Sequence, residues 1–213
     1  MRIIHFGHSC VLLETDSARL LIDPGTFAHG FETARELDGV LITHQHPDHL
    51  DPTKLATLLL DNPNAALVVD EGSAAITHDL GLAATVLAPG EHTEIAGAAI
   101  HVAGGRHAVI HDDVPVIANN GYVIDHGAFY HPGDSLVVPE QAVDVLGVPV
   151  AAPWLKTSEA VGFLRSVAPR VAVPVHEAVL AEAGVGLYGG LLVRLAPQGT
   201  GVIAPPHGEL TEI

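Results

Sequence analysis

The chain runs Thr43-His44-Gln45-His46-Pro47-Asp48-His49 directly after the apolar segment Val40-Leu41-Ile42. Four potential metal ligands therefore fall within six residues. In an extended chain, residues two apart point the same way, so His44 and His46 can address one ion. Pro47 suits the start of a helix, which would turn Asp48 and His49 towards a second ion. The alternative is a polar loop that happens to contain three histidines.

Four ligands from one loop can hardly enclose two metal ions, so this interpretation requires donors elsewhere in the chain. Three candidates stand out because each follows an apolar segment with strand character: His107, Asp134 and His176. Scaffolds commonly place site residues where rigid strands end. Imidazole and carboxylate are ligands of zinc, and of manganese or iron where oxygen donors are included.

Composition limits the kinds of partner. The chain has 213 residues, 48% of them hydrophobic and 16% charged, which predicts a well-packed globular protein. Nine Lys and Arg residues against 25 Asp and Glu give a net charge of -16, so a nucleic-acid partner is not expected. The single cysteine, Cys10, excludes an internal disulfide framework and a multi-cysteine metal site. No apolar run is long enough for a membrane helix, and we expect a cytoplasmic protein.

Strand-like segments outnumber helical ones, and the helices are predicted between groups of strands. The pattern predicts helices from Asp51 to Leu60, from Ser158 to Val167 and from Glu177 to Ala183. It predicts a hairpin around His126-Gly127 and a strand at Leu191-Leu192-Val193. Two strand-rich halves, each with helices, favour layered helix–sheet–sheet–helix packing. We see no linker, and we expect one domain over residues 1–213.

These motifs resemble the metallo-β-lactamase superfamily of metal-dependent hydrolases. The resemblance rests on the histidine motif, then His107, Gly133-Asp134 and His176 in the family's order. Gly7-His8-Ser9 and Leu21-Ile22-Asp23-Pro24-Gly25 support it near the start of the chain. The short length and the Gly-His-Ser opening are most similar to the compact branch that includes ascorbate-phosphate lactonase. The resemblance implies an α/β fold, a four-layer αβ/βα sandwich with metals at one edge of the sheets.

The resemblance also implies roles for individual residues. His44, His46 and His107 would hold the first of two divalent ions, with zinc expected first and manganese or iron also compatible. Asp48, His49 and His176 would hold the second ion, Asp134 would bridge the pair, and Asp23 would orient a ligand. At 213 residues we expect no extra domain of the kind found in the superfamily's RNA nucleases or flavin-linked members.

A two-metal site predicts hydrolysis of a small-molecule substrate, a lactone or a phosphate ester, by a bridging hydroxide. Asp48 is a candidate catalytic base, and His111 is a candidate proton donor to the leaving group. One alternative is a one-iron dioxygenase that uses His44, His46, His107 and a carboxylate. Another is a non-catalytic metal-binding scaffold. The sparsely charged surface is also compatible with a homo-oligomer.

The sequence leaves the roles of several other side chains open. His8 either lines the site or makes a structural hydrogen bond, and Trp154 lies either in the core or in the wall of the substrate pocket. His131 is expected beside the site, and Arg106 is expected at the surface. We expect the pocket walls to come from two loops, residues 27–31 and 141–156.

Overall fold

The computed structural model describes residues 1–213 and contains two groups of strands. The elements of the first half are β1 (Arg2–His5), β2 (Val11–Glu14), β3 (Arg19–Ile22), β4 (Gly39–Ile42), α1 (Pro52–Asp61), β5 (Ala66–Val69), α2 (Ala74–Asp79) and β6 (Thr85–Val86). Those of the second half are β7 (His92–Ile95), β8 (Ala98–Arg106), β9 (Ala118–Ile124), β10 (Phe129–His131), β11 (Val145–Pro149), α3 (Thr157–Val167), β12 (Val171–Val175), α4 (Glu182–Leu195), β13 (Gly201–Val202) and β14 (Leu210–Glu212).

The strands form two seven-stranded mixed sheets. The first has the order β14-β1-β2-β3-β4-β5-β6, and the second has the order β13-β12-β11-β10-β9-β8-β7. In each sheet the strands that precede or follow helices are parallel, as β3 to β6 and β10 to β13 show. The C-terminal strand β14 returns to the first sheet and pairs with β1.

Alternating side chains create three apolar layers. Leu20 and Ile22 of β3 face the second sheet and join the central cluster, whereas Leu21 between them packs outward with Leu55 of α1. On the far side, Leu146 of β11 packs outward with Phe163 of α3. Helices thus cover the outer face of each sheet. This arrangement confirms the four-layer αβ/βα sandwich predicted above.

The helix after the histidine motif begins as its sequence predicts. Asp51 caps α1, because its carboxylate accepts hydrogen bonds from the backbone N–H groups of Thr53 and Lys54. Pro52 occupies the first helical position, where no intrahelical N–H bond is lost. The buried side chains of Leu55 and Leu58 hold the helix on the first sheet.

The structure corrects three sequence predictions in the second half. The strand predicted at residues 191–193 is wrong, because these residues lie inside α4. The helix predicted from Glu177 begins at Glu182 instead. The expected pocket loop at 141–156 contains the buried strand β11. A short apolar run does not distinguish a strand from a helix segment, and this ambiguity explains the first error. No helix reaches the length and apolar character needed to cross a membrane.

Two polar contacts join the sheets beside the histidine motif. The hydroxyl of Tyr122 on β9 donates to the carbonyl of Ile42 on β4 at 2.8 Å, and Tyr122 is fully buried. The backbone N–H of Asn120 donates to the carbonyl of Thr43, also at 2.8 Å. The two sheets are therefore held in register where β4 ends.

Substituting Tyr122→Phe removes the side-chain contact between the sheets and keeps the ring. We expect a loss of about 1–2 kcal/mol in the free energy of unfolding, because a buried carbonyl loses a donor. Urea unfolding measures it. Tyr188→Phe is the control, since Tyr188 lies half-buried on α4. Equal stability of the Tyr122→Phe variant and the wild type would contradict a role for this contact.

Candidate metal centre

The predicted ligands meet at one edge of the two sheets. The motif residues His44, His46, Asp48 and His49 follow β4, and the other three follow strands of the second sheet: His107 after β8, Asp134 after β10 and His176 after β12. Five of the seven are buried, whereas His46 and Asp48 are half-buried. Each ligand is thus fixed by the end of a strand.

The potential ligand atoms fall into two groups, and within each group they lie within 4.8 Å of one another. One group is His44, His46, His107 and Asp134; the other is His8, Asp48, His49 and His176. Asp134 contacts both groups. Its Oδ2 lies 3.2 Å from His107 Nε2, and its Oδ1 lies 3.1 Å from His49 Nε2 and 3.2 Å from His176 Nε2.

Hydrogen bonds at the outer nitrogens fix which nitrogen of each ring faces the site. The Nδ1 of His107 donates to the carbonyl of Ala108, and the Nδ1 of His176 donates to that of Ala151, each at 2.6 Å. Because a neutral imidazole has one N–H, the Nε2 of each ring keeps a free lone pair. Such contacts behind a ligand set its tautomer and orientation.

Asp23 fixes two more rings in the same way. Its Oδ2 accepts hydrogen bonds from the Thr43 hydroxyl and from His49 Nδ1, both at 2.7 Å. Because the Thr43 hydroxyl donates its only O–H to Asp23, its oxygen acts as an acceptor towards His44. The Nδ1 of His44 donates to it at 3.1 Å. The Nε2 lone pairs of His44 and His49 therefore point into the site. This agrees with the orienting role predicted for Asp23.

The inward atoms lack partners within the protein. No hydrogen bond reaches Nε2 of His49, His107 or His176, or Oδ1 of Asp134, although all four atoms are buried. The Nε2 of His44 lies 3.1 Å from Nδ1 of His46 and accepts a hydrogen bond from it when His46 carries its proton on that nitrogen. Nitrogen lone pairs and carboxylate oxygens this close repel one another unless a cation lies between them. The donor set therefore fits metal ions.

Burial and charge move the pKa values of the site in opposite directions. Burial alone would lower the pKa of His49, but the Asp134 and Asp23 carboxylates outweigh it and raise that pKa well above its usual value. Burial would raise the pKa of Asp134, but His49 and the other imidazoles hold it well below its usual value. Burial lowers the pKa of His44, which favours the neutral ring that a metal needs.

His8 lies in the site, which resolves the two interpretations of this residue. Its Nε2 donates to Asp48 Oδ2 at 3.1 Å, and its ring centre is 3.9 Å from that of His176. Burial would raise the pKa of Asp48, but the hydrogen bond from His8 and the charge of His49 lower it to about 2. The Asp48 carboxylate is therefore ionised and aimed by His8.

The backbone around the ligands is tightly constrained. The φ angles of three residues lie in the left-handed region, which residues other than glycine rarely adopt. They are 54° at His8, 50° at Asp23 and 65° at His176. A side chain on Gly25 would place its Cβ 1.8 Å from the carbonyl oxygen of Asp48. The Leu21-to-Gly25 segment thus packs directly under the histidine motif, and glycine is required there.

A cleft of about 310 Å³ opens over the two groups. Trp154 lies in its wall, half-buried, and its indole N–H donates to Asp134 Oδ2 at 2.8 Å. Of the two expected wall loops, residues 27–31 contribute Phe27 and residues 141–156 contribute Pro153 and Trp154.

The remaining predicted residues lie outside the cleft. His111 has an exposed side chain whose Nδ1 lies 3.5 Å from Asp113 Oδ2, and it does not line the cleft. The geometry thus gives no support for His111 as a proton donor. His131 is buried beside the site and bonds the Ser9 carbonyl, and Arg106 is exposed.

Sequence reasoning missed two supporting residues. Asn119 accepts the backbone N–H of Asp134 at 2.9 Å, and Glu177 accepts that of His8 at 2.8 Å. A weak signal existed for Glu177, which directly follows the ligand His176. No local pattern marks Asn119, because it is 15 residues from its partner and meets it through sheet pairing.

Comparison with known proteins agrees with this geometry. Residues 2–176 match the family model described as the beta-lactamase superfamily domain. The Mycobacterium tuberculosis protein Rv0786c is 50% identical over 199 residues, which cover 92% of each chain. A protein of Opitutus terrae named UPF0173 metal-dependent hydrolase is 29% identical over 195 residues, covering 83% of this chain and 84% of its own.

A solved structure shares the fold. Igni18, a metallo hydrolase from the hyperthermophilic archaeon Ignicoccus hospitalis, matches with a TM-score of 0.74 at 20% identity, covering 100% of this chain and 98% of that one. At this identity the likeness concerns the fold alone. Together with the family match over most of the sequence, these findings show that the chain belongs to the metallo-β-lactamase superfamily and is a metal-dependent hydrolase.

Proposed function

We propose that the site holds two divalent metal ions, zinc first with manganese or iron also suitable, and hydrolyses a small lactone or phosphate ester. The observation that carries this proposal is the set of buried, unpartnered nitrogens facing Asp134. His44, His46 and His107 would hold the first ion, and Asp48, His49 and His176 the second. Asp134 would lie between them, since its two oxygens face different groups.

Two divalent ions bound there would make a water molecule acidic near neutral pH and polarise the carbonyl or phosphoryl oxygen of a substrate. The chain's own residues orient the reactants. Asp48 is half-buried at the cleft and stays ionised, so it can orient an attacking water by accepting its hydrogen bond, while a pKa of about 2 makes it a weak base. His8 fixes the direction of that carboxylate, and Trp154 fixes Asp134. Neither residue needs to change its protonation to do so.

The alternatives receive less support from the geometry. A one-iron dioxygenase would need only the group containing His44, His46 and His107, whereas the group containing His49 and His176 has equally well-oriented donors. A non-catalytic scaffold would be expected to lose ligands, and all seven predicted positions are occupied by suitable side chains.

Metal analysis of the untagged protein, purified without chelator, tests the proposal. We expect two ions per chain, and one fewer in each of the variants His107→Ala and His176→Ala, because each removes a ligand from a different group. His78→Ala is the matched control, since His78 is exposed and outside both groups. One iron that is insensitive to His176→Ala would favour the dioxygenase. Protein that takes up no metal would contradict both the hydrolase and the dioxygenase.

The variant Gly25→Ala tests whether the packing under the motif holds the metal ligands in place. Its Cβ would collide with the Asp48 backbone, so we expect metal content to fall although every ligand remains. Gly162→Ala is the control, because a Cβ at that position of α3 meets nothing within 4 Å. Full metal content in Gly25→Ala would show that the loop tolerates displacement.

A further inference from the structure

The wall of the cleft above the metal centre is apolar on several sides. Phe27, Ile110 and Val179 line it, and they are 46%, 37% and 49% exposed. Single exposed apolar residues are ordinary on protein surfaces. Here, however, three of them come from separate loops and converge with Pro153 and Trp154 on one cavity. Together they form an apolar wall in the cleft that Asp48 and Asp134 also line.

The cleft also lacks cationic side chains. None of the twelve residues that line it is Lys or Arg, and its acidic side chains are Asp48 and Asp134. The whole chain carries nine Lys and Arg residues and a net charge of -16. A charged group on the part of a substrate that does not react would find no counter-charge in this wall. The protein's overall charge would also slow the approach of an anion.

The size of the cleft sets a further limit. A volume of about 310 Å³ is at the lower end of the range for small-molecule sites. It admits a compact ring or a short chain beside the metal centre. A large polar leaving group such as a nucleotide would extend beyond the cleft, towards the adjoining hollow that Thr26, Phe27 and Val179 also line.

From these three observations we propose that the substrate is an uncharged carboxylic ester or lactone whose short apolar chain lies against Phe27, Ile110 and Val179. This proposal rests on the proposed metal-dependent hydrolysis and excludes the phosphate ester. In the reaction the oxygen of water bonds to the acyl carbon and the bond from that carbon to the alkoxy oxygen breaks. The alkoxy oxygen takes one proton of the water, and the acid releases the other at neutral pH. No group is oxidised or reduced.

Steady-state kinetics of the metal-loaded protein provide the first test. We expect a larger kcat/KM for p-nitrophenyl butyrate than for the acetate, by about tenfold, because two more methylene groups leave water. Both esters should exceed bis-p-nitrophenyl phosphate. Faster turnover of the phosphodiester would overturn the substrate class and leave the hydrolase function intact. No preference for the longer acyl chain would overturn the role of the apolar wall.

A charge placed in the wall provides the matched test. In Val179→Lys we expect kcat/KM for the butyrate ester to fall about tenfold, since its apolar chain would have to displace water from the ammonium group, and that for the phosphodiester to be retained or to rise. Val138→Lys is the control, because Val138 is 47% exposed and lines a different hollow. Equal effects of the two substitutions on the ester would contradict the proposal.

Trp154 offers a readout that does not depend on turnover, because it is the only tryptophan and lies in the cleft. Its fluorescence can be titrated with N-methylbutanamide, an uncharged mimic of the ester, and with propylphosphonate, a charged ligand with a similar chain. In metal-free protein we expect the amide to bind and Val179→Lys to weaken its binding about tenfold. Failure of the amide to bind, or phosphonate binding more tightly, would overturn the proposal. This titration tests the apolar wall separately from the hydrolase function, because it uses metal-free protein and measures binding alone.

Discussion

The contact on which the site depends is that between the Asp134 carboxylate and the imidazole nitrogens of His49, His107 and His176, at 3.1 to 3.2 Å. Each ring is turned towards Asp134 by a hydrogen bond on its far side, to Asp23, Ala108 or Ala151. The protein therefore places the Nε2 lone pairs of these rings next to the negatively charged Asp134 carboxylate. A cation between them would stabilise this arrangement. In the absence of metal, a proton on His49 can supply the positive charge beside Asp134, and the folded layers must compensate for the repulsion that remains.

The two packed sheets supply the rigidity that keeps these side chains close together. Ligands come from β4 of the first sheet and from β8, β10 and β12 of the second, so the site exists only if both sheets keep their relative position. Tyr122 and Asn120 join the sheets within two residues of the motif. The strained backbone at His8 and His176 is tolerated because both residues are anchored, the N–H of His176 bonding to the carbonyl of His8.

Sequence reasoning reached the ligand positions because they have a strong local signature, the end of an apolar strand followed by a histidine or an aspartate. It reached the layered fold because strand-like apolar runs such as Leu20 to Ile22 outnumber the helical segments, which lie between groups of them. It failed where the signal is non-local or ambiguous. Residues 191–193 form an apolar run that suits either a strand or a helix, and α4 includes it. His111 is close to a ligand in sequence but exposed, and the positions of Asn119 and Trp154 follow from tertiary packing alone.

The imidazole lone pairs that face the site are positioned to bind a cation. Proton release on metal binding tests this most directly. In the metal-free protein burial opposes a charge on His49, but the Asp134 and Asp23 carboxylates outweigh it and raise its pKa well above the usual value, so a proton competes with a metal ion for the Nε2 lone pair. A metal ion must displace that proton, so affinity should increase with pH up to that pKa. Zinc titrations by calorimetry, in buffers with different ionisation enthalpies, should show net proton release on binding. Binding with no proton release and no dependence on pH would contradict the account.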